Sequence, residues 1–153
     1  LYYATQRFCN EGDIVVNIDP DDQILGTQAL KILSGAYEDE NIWYVYSRHI
    51  FLDKNNATLL GSSFPLNYTT STYRRVAFFI TSHPRTFRLG LMKAVPFYQV
   101  IEFHYNTTTK IAWPVFPMLT QDIFQVYTHL ELAGNERVKF LEHHLYVYYG
   151  VNL

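Results

Sequence analysis

The strongest constraint on the fold lies in residues 13–47, where two short apolar runs flank one amphipathic segment. The first run, residues 13–18, is β-branched and almost continuous, which is typical of a buried parallel strand. Between Gly26 and Tyr37 apolar residues recur at helical spacing, and a second strand-like run covers residues 42–47. This strand–helix–strand order predicts a βαβ unit and places the chain in the α/β class.

Four further elements are predicted nearer the end of the chain. A helix is expected to begin within residues 84–89, because proline is common in the first turn of a helix and Pro84 opens this segment. Helical periodicity covers residues 121–133 and stops at Gly134. A short helix over residues 136–143 and an apolar strand over residues 145–149 complete the prediction.

Composition limits the partners of the chain. Its 153 residues carry a net charge of −2 without a basic block, which argues against binding to nucleic acid. No apolar run approaches the roughly 18–20 residues of a membrane span. One cysteine, Cys9, permits neither an internal disulfide nor a cysteine-based zinc site. Three glycosylation sequons only weakly suggest a secretory route, so the compartment stays open, with a cytoplasmic or membrane-associated location preferred to the secretory lumen.

An acidic cluster, Asp19-Pro20-Asp21-Asp22, follows the first predicted strand. Ligands of open α/β sheets bind at the carboxyl ends of strands. Three carboxylates within four residues repel one another unless a cation neutralises them. Mg²⁺ and Mn²⁺ prefer oxygen ligands and bridge to phosphates, so the cluster suggests a divalent metal site. The alternative is a solvated acidic turn in which Asp22 caps the following helix.

Three metal-dependent chemistries use clusters of this kind. A calcium-binding EF-hand loop fails, because its fifth, sixth and twelfth positions would be Gln23, Ile24 and Leu30. A phosphatase resembling the haloacid dehalogenases would use Asp19 as nucleophile and Asp21 as acid/base, and it remains an alternative. The third chemistry is transfer from a nucleotide sugar, in which the metal neutralises the departing diphosphate.

Several segments resemble family 2 glycosyltransferases, which have the GT-A fold. The sequence Ile-Val-Val-Asn-Ile-Asp-Pro-Asp-Asp of residues 14–22 is similar to the family's D-x-D-D segment, and residues 25–37 are similar to the helix after it. Tyr73-Arg74 with Ser-His-Pro-Arg-Thr-Phe-Arg at 82–88 resembles the segment "YR … SH-x-RTFR" of one branch. Gln121-Asp122, Leu-Glu-Leu-Ala-Gly at 130–134 and Leu-Tyr-Val-Tyr at 145–148 resemble that branch's ending, and the ordered set covers most of residues 12–149.

The resemblance implies a GT-A-like (Rossmann-like) mixed sheet flanked by helices and incomplete at its N-terminus. Residues 1–153 would be the C-terminal part of a glycosyltransferase 2-like domain. The implied enzyme is a metal-dependent, inverting glycosyltransferase, which transfers a sugar from a nucleotide-diphosphate donor to a hydroxyl of a glycan, lipid or protein. Only eighteen residues precede Asp19, fewer than the family's nucleotide-binding strand and loop require, so the isolated chain is expected to show little turnover.

The resemblance also assigns roles to the acidic residues. Asp19 and Asp21 would contact the donor, and Asp21 and Asp22 would hold Mn²⁺ or Mg²⁺ against the diphosphate. An inverting transferase needs a carboxylate base to deprotonate the acceptor hydroxyl. Asp122 is the first candidate and Glu131 the second, although Asp122 could instead cap the helix that it opens.

His83, Arg85 and Arg88 complete the predicted donor site. Guanidinium groups suit phosphate oxygens, so the two arginines, on one face of the predicted helix, could clamp the diphosphate. The alternative is an ordinary solvated or salt-bridged helix face. If the cluster is not catalytic, the chain could be a carbohydrate-binding remnant, in which aromatic side chains such as Trp43 would stack on sugars while most other rings form the core.

Overall fold

The structure is a computed structural model that describes residues 9–52, 58–60, 83–95, 102–115 and 121–149. These residues form a mixed α/β arrangement, so the predicted class is confirmed. The elements are β1 (Ile14–Asn17), β2 (Gln23–Ile24), α1 (Ala29–Ala36), β3 (Tyr44–Leu52), β4 (Thr58–Leu60), β5 (Arg85–Arg88), α2 (Leu89–Ala94), β6 (Glu102–Tyr105), β7 (Ala112–Val115), α3 (Gln121–Ala133), a 3-10 turn at Asn135–Arg137, and β8 (Val138–Tyr149).

Six strands form one mixed sheet with the order β1-β5-β3-β8-β2, and β4 pairs with β3 beside this path. β3 and β8 are parallel and register along nine residues of β3, with irregularities on both sides of Arg48. The other pairs, β1 with β5, β5 with β3, β4 with β3 and β2 with β8, are antiparallel. β6 and β7 form a separate antiparallel pair.

The prediction of a buried parallel strand at residues 13–18 was wrong in two respects. β1 is half-buried at one end of the sheet order, and its neighbour β5 is antiparallel to it, with Asn17 opposite Arg85 and Ile14 opposite Arg88. Because β1 and β3 are both antiparallel to β5, they run in the same direction with β5 between them. The predicted strand–helix–strand order is therefore present, and a later segment of the chain is inserted into it.

The prediction of a helix from Pro84 was also wrong, since Arg85–Arg88 is strand β5 and α2 begins only at Leu89. Pairing with β1 and β3 satisfies the backbone of this segment on both sides and buries Phe87. The Thr86 hydroxyl, which donates to the Val45 carbonyl at 2.8 Å, adds a further bond. These long-range contacts outweigh the local helical signal. In an extended strand, residues three apart face opposite sides, so the two arginines diverge.

Towards the end of the chain one prediction is confirmed and one is wrong. α3 covers Gln121–Ala133 as predicted, and the chain leaves the helix at Gly134, whose φ of 76° lies in the left-handed region. The helix expected at 136–143 is absent: after the 3-10 turn the chain enters β8, a twelve-residue strand. Pairing with β3 begins at Val138, so residues 138–143, which were expected to be helical, belong to strand β8.

Helices pack on both faces of the sheet. Tyr44 and Tyr46 of β3 pack with residues of α2 and α3, whereas Val45, between them, packs with α1. Since alternate residues of a strand face opposite sides, α1 covers one face and the other two helices cover the second. In the part of the chain that the structure describes, no helix combines the length and the apolar character that crossing a membrane requires.

Candidate functional site

The acidic cluster lies on the connection between β1 and β2, the two strands at opposite ends of the sheet order. A tight turn closes it, in which the Asp22 N–H donates to the Asp19 carbonyl at 3.0 Å. This connection brings the carboxylates to the side of the sheet where β8 ends. Their position is therefore fixed by long-range strand pairing as well as by the local turn.

Strand β8 holds this turn in place. The Asp19 N–H donates to the Tyr146 hydroxyl at 3.0 Å, and the Tyr149 N–H donates to Asp22 Oδ1 at 2.9 Å. The Leu25 N–H, just after β2, donates to the Leu145 carbonyl at 2.9 Å. Asp22 therefore binds β8. The alternative in which Asp22 caps α1 is wrong, because the N-cap of α1 is Gln28, which makes no side-chain capping bond.

Asp19, His83 and Arg85 form the centre of the site. His83 Nε2 lies 3.0 Å from Asp19 Oδ2, and Arg85 Nη2 lies 3.2 Å from the same oxygen and 3.3 Å from Oδ1. Arg85 Nη2 is also 2.6 Å from His83 Nε2. His83 and Arg85 are buried, with 6% and 4% exposure, whereas the Asp19 side chain is 41% exposed. The cluster therefore reaches solvent through Asp19.

The short contact with Arg85 determines the protonation of His83. A guanidinium has only donors, so His83 Nε2 must accept, which leaves this imidazole neutral with its proton on Nδ1. Burial lowers the pKa of His83 to about 4; Arg85 acts in the same direction and Asp19 opposes both. Nε2 and Asp19 Oδ2 are consequently two acceptor atoms, bridged by the hydrogens of one guanidinium nitrogen.

Asp22 adds a second carboxylate to this group. Its Oδ2 is buried and accepts no hydrogen bond from the residues that the structure describes. Burial raises the pKa of Asp22, although the Tyr149 N–H and the nearby Tyr146 hydroxyl partly oppose this effect. One potential ligand atom each of Asp19, Asp22 and His83 lie within 4.8 Å of one another.

Two carboxylates and one imidazole are ligands that first-row divalent metals accept, whereas Mg²⁺ is satisfied by oxygens alone. In an octahedral site with bonds of 2.0–2.1 Å, neighbouring ligand atoms are about 3 Å apart. The 3.0 Å separation of Asp19 Oδ2 and His83 Nε2 fits two neighbouring positions of such a shell. The donor set therefore fits a metal such as Mn²⁺, with Asp19, Asp22 and His83 as ligands.

Asp21 and Arg88 are placed apart from this group. Asp21 is exposed and does not belong to the set of converging ligand atoms. Arg88 lies at the other end of β5, where its Nε donates to the Ile42 carbonyl at 2.8 Å and its Nη2 to the Tyr37 carbonyl at 3.0 Å. Of the two arginines predicted to bind the donor, the structure brings only Arg85 to the cluster.

The two candidate bases lie on α3. Asp122 is in its first turn, and its side chain is outside the described part of the structure. Gln125, one turn later, accepts a hydrogen bond from the Asn17 side-chain amide at 3.4 Å, so this part of α3 lies beside the end of β1. Glu131 is exposed, six residues or about 9 Å further along the helix.

Sequence reasoning missed the supporting role of the β8 tyrosines. The sequence places Tyr146 only in the segment that resembles the glycosyltransferase ending, yet its ring stacks on His83 at 4.9 Å and its hydroxyl accepts a hydrogen bond from the Asp19 N–H. Tyr148 stacks on the same imidazole at 5.5 Å. The bond to Asp19 joins residues 127 positions apart, so no local pattern could have indicated it.

Comparisons with known proteins supply no further assignment. Neither the protein-family models nor the curated proteins include a match to this sequence.

Proposed function

We propose that the chain is part of a metal-dependent, inverting glycosyltransferase of the GT-A type, using a nucleotide-diphosphate sugar as donor. One observation carries this proposal: three segments that the resemblance selects, far apart in sequence, contribute to one cluster. The first supplies Asp19 and Asp22, the second His83 and Arg85, and the third Tyr146, which binds the Asp19 backbone. The mixed sheet with helices on both faces is compatible with this fold.

In this proposal Asp19, Asp22 and His83 hold the divalent metal. When bound, the metal would neutralise the charge that develops on the departing diphosphate, a contribution of several kcal/mol to transition-state stabilisation. This ligand set replaces the pair Asp21 and Asp22 expected from the sequence, because Asp21 lies outside the converging group. The imidazole favours Mn²⁺ over Mg²⁺.

Arg85 is the proposed contact for the diphosphate oxygens. Its guanidinium is at the cluster and permanently charged, and a planar fork matches phosphate oxygens. Arg88 has no part in donor binding here, because backbone carbonyls of the connection between α1 and β3 accept its hydrogen bonds.

Asp122 is the preferred base for the acceptor hydroxyl. It lies one helical turn before Gln125, the residue that contacts the end of β1, and β1 leads directly to Asp19. Glu131 is further along α3 and exposed, which makes it the second choice.

Metal binding tests the proposal most directly. Mn²⁺ affinity is measured on the whole chain by electron paramagnetic resonance, with and without UDP, for the parent, Asp22→Asn and Asp21→Asn. Asn at 22 keeps an oxygen for the Tyr149 N–H but removes the charge, and Asp21→Asn makes the same charge change on the exposed neighbour. We expect Asp22→Asn to weaken Mn²⁺ binding at least tenfold and Asp21→Asn to change it less than threefold.

The competing functions give different results. A carbohydrate-binding remnant would bind sugars with no effect of Mn²⁺ and would show no response to UDP. A phosphatase would release phosphate from p-nitrophenyl phosphate and lose that activity in Asp19→Asn. Equal Mn²⁺ and UDP binding by the parent and Asp22→Asn would contradict the glycosyltransferase proposal.

A further inference from the structure

Arg85 and a divalent metal require the same two atoms. Arg85 Nη2 lies 2.6 Å from His83 Nε2 and 3.2 Å from Asp19 Oδ2, which are two of the ligand atoms of the proposed metal site. The neutral imidazole has a single lone pair on Nε2, so it cannot bind a metal while it accepts a hydrogen bond from Arg85. Metal and guanidinium are therefore alternatives at this position.

Charge leads to the same conclusion. Arg85 is buried, with 4% exposure, and Asp19 is its ion-pair partner. A metal bound by Asp19 would take up this carboxylate and would place a second positive charge next to a guanidinium shielded from water. An anion that arrives with the metal would restore the ion pair that Arg85 gives up at Asp19.

We propose that Arg85 occupies the cation position before metal binds and moves to the anionic ligand when the metal enters. This inference rests on the proposed function, since a diphosphate is the anion that the proposed donor brings. Its oxygens offer a guanidinium the paired contacts that it gives up at Asp19 and His83. The exchange makes metal and diphosphate binding interdependent, because the diphosphate replaces the contacts with Asp19 and His83 that Arg85 loses to the metal.

The experiment compares Mn²⁺ binding by the parent, Arg85→Gln and Lys139→Gln, each with and without inorganic pyrophosphate. Lys139 is exposed on β8 and controls for the loss of one positive charge. We expect Arg85→Gln to bind Mn²⁺ alone about tenfold more tightly than the parent, because its competitor is gone. Pyrophosphate should strengthen Mn²⁺ binding by the parent about tenfold more than by Arg85→Gln.

A measurement on the parent protein covers the case in which the buried substitution prevents folding. Zn²⁺ is diamagnetic and accepts the same ligands, so the guanidinium protons of Arg85 can be followed by NMR during a Zn²⁺ titration. We expect these protons to shift and to exchange faster with solvent as Zn²⁺ binds.

Two results would overturn the exchange while leaving the metal site intact. In the first, Arg85→Gln binds Mn²⁺ no more tightly than the parent. In the second, the NMR signals of the Arg85 guanidinium do not change when Zn²⁺ is bound. Absence of Mn²⁺ binding by both the parent and Arg85→Gln would instead reject the metal site of the proposed function, and the exchange with it. Weaker coupling to pyrophosphate in Arg85→Gln, together with tighter Mn²⁺ binding, would support the exchange.

Discussion

Replacing Arg88 with methionine tests whether this arginine is structural. Its Nε bond to the Ile42 carbonyl, at 2.8 Å, and its Nη2 bond to the Tyr37 carbonyl, at 3.0 Å, are both partly buried. Hydrogen bonds to charged groups contribute about 1.5–3 kcal/mol each. Two more contacts, to Asp39 and Gly12 at 3.3 and 3.4 Å, are exposed and add little. Since water partly replaces the lost donors, we expect Arg88→Met to lower the free energy of unfolding by about 3 kcal/mol.

Urea denaturation followed by tryptophan fluorescence measures this loss. With a slope of about 2 kcal/mol per molar, the midpoint should fall by about 1.5 M. Arg137→Met is the matched control, because its guanidinium lies 4.8 Å from the centre of the Trp43 ring and its loss should cost less than about 1 kcal/mol. Under folding conditions Arg88→Met should bind Mn²⁺ as the parent does. An unchanged midpoint combined with weaker Mn²⁺ or UDP binding would refute the structural assignment and return Arg88 to the donor site.

Three further outcomes are expected. Tyr146→Phe should lose about 1–2 kcal/mol of stability and weaken Mn²⁺ binding, because it removes the acceptor of the Asp19 N–H. An unchanged midpoint of urea denaturation and an unchanged Mn²⁺ affinity would contradict this. Burial lowers the pKa of His129 from 6.5 to about 4. Between these pH values only the unfolded chain takes up the proton, so the free energy of unfolding decreases as the pH is lowered. On going from pH 7 to pH 4, the free energy of unfolding of His129→Leu should therefore decrease by about 3 kcal/mol less than that of the parent. Equal decreases in urea titrations would show that the pKa of His129 is not lowered in the folded chain. Gly134→Ala should destabilise the chain by about 1 kcal/mol, because Gly134 has a φ of 76°. Gly35→Ala in α1, where nothing lies within 4 Å of an added Cβ, should stabilise it by about 0.5–1 kcal/mol. Thermal melts in which Gly134→Ala is the more stable of the two variants would contradict this.

The elements that sequence predicted well are those decided by local signals. Residues 121–133 combine helical periodicity with a glycine at positive φ immediately after the helix, and both features act within the segment itself. Residues 85–88 and 138–143 were predicted as helix and are strand, because their partners in the sheet are distant in sequence. Phe87 pairs with Val15 on one side and Tyr44 on the other, and no pattern within residues 84–89 contains this information.

The candidate site was predicted in its side chains but not in its arrangement. Asp19, Asp22, His83 and Arg85 were all selected from the sequence, and the structure brings them together. The grouping differs from the expected one, because the neighbouring exposed Asp21 is replaced by His83 as the third member. An imidazole that is 64 residues from its carboxylate partner can be assigned to the site only once the strand pairing is known.

The dependence of the turn on β8 also has a consequence for synthesis on the ribosome. Asp19 and Asp22 are bonded to Tyr146 and Tyr149, residues 127 positions later in the chain. At 5–20 residues per second, the ribosome needs roughly 6–25 s to make that stretch, and throughout this time the tyrosines of β8 are not yet present to bind the acidic segment. A chain ending at residue 143 would contain each proposed ligand but neither Tyr146 nor Tyr149, so we expect it to lack the Mn²⁺ site. Metal binding by such a truncated chain would show that the turn forms without these two residues.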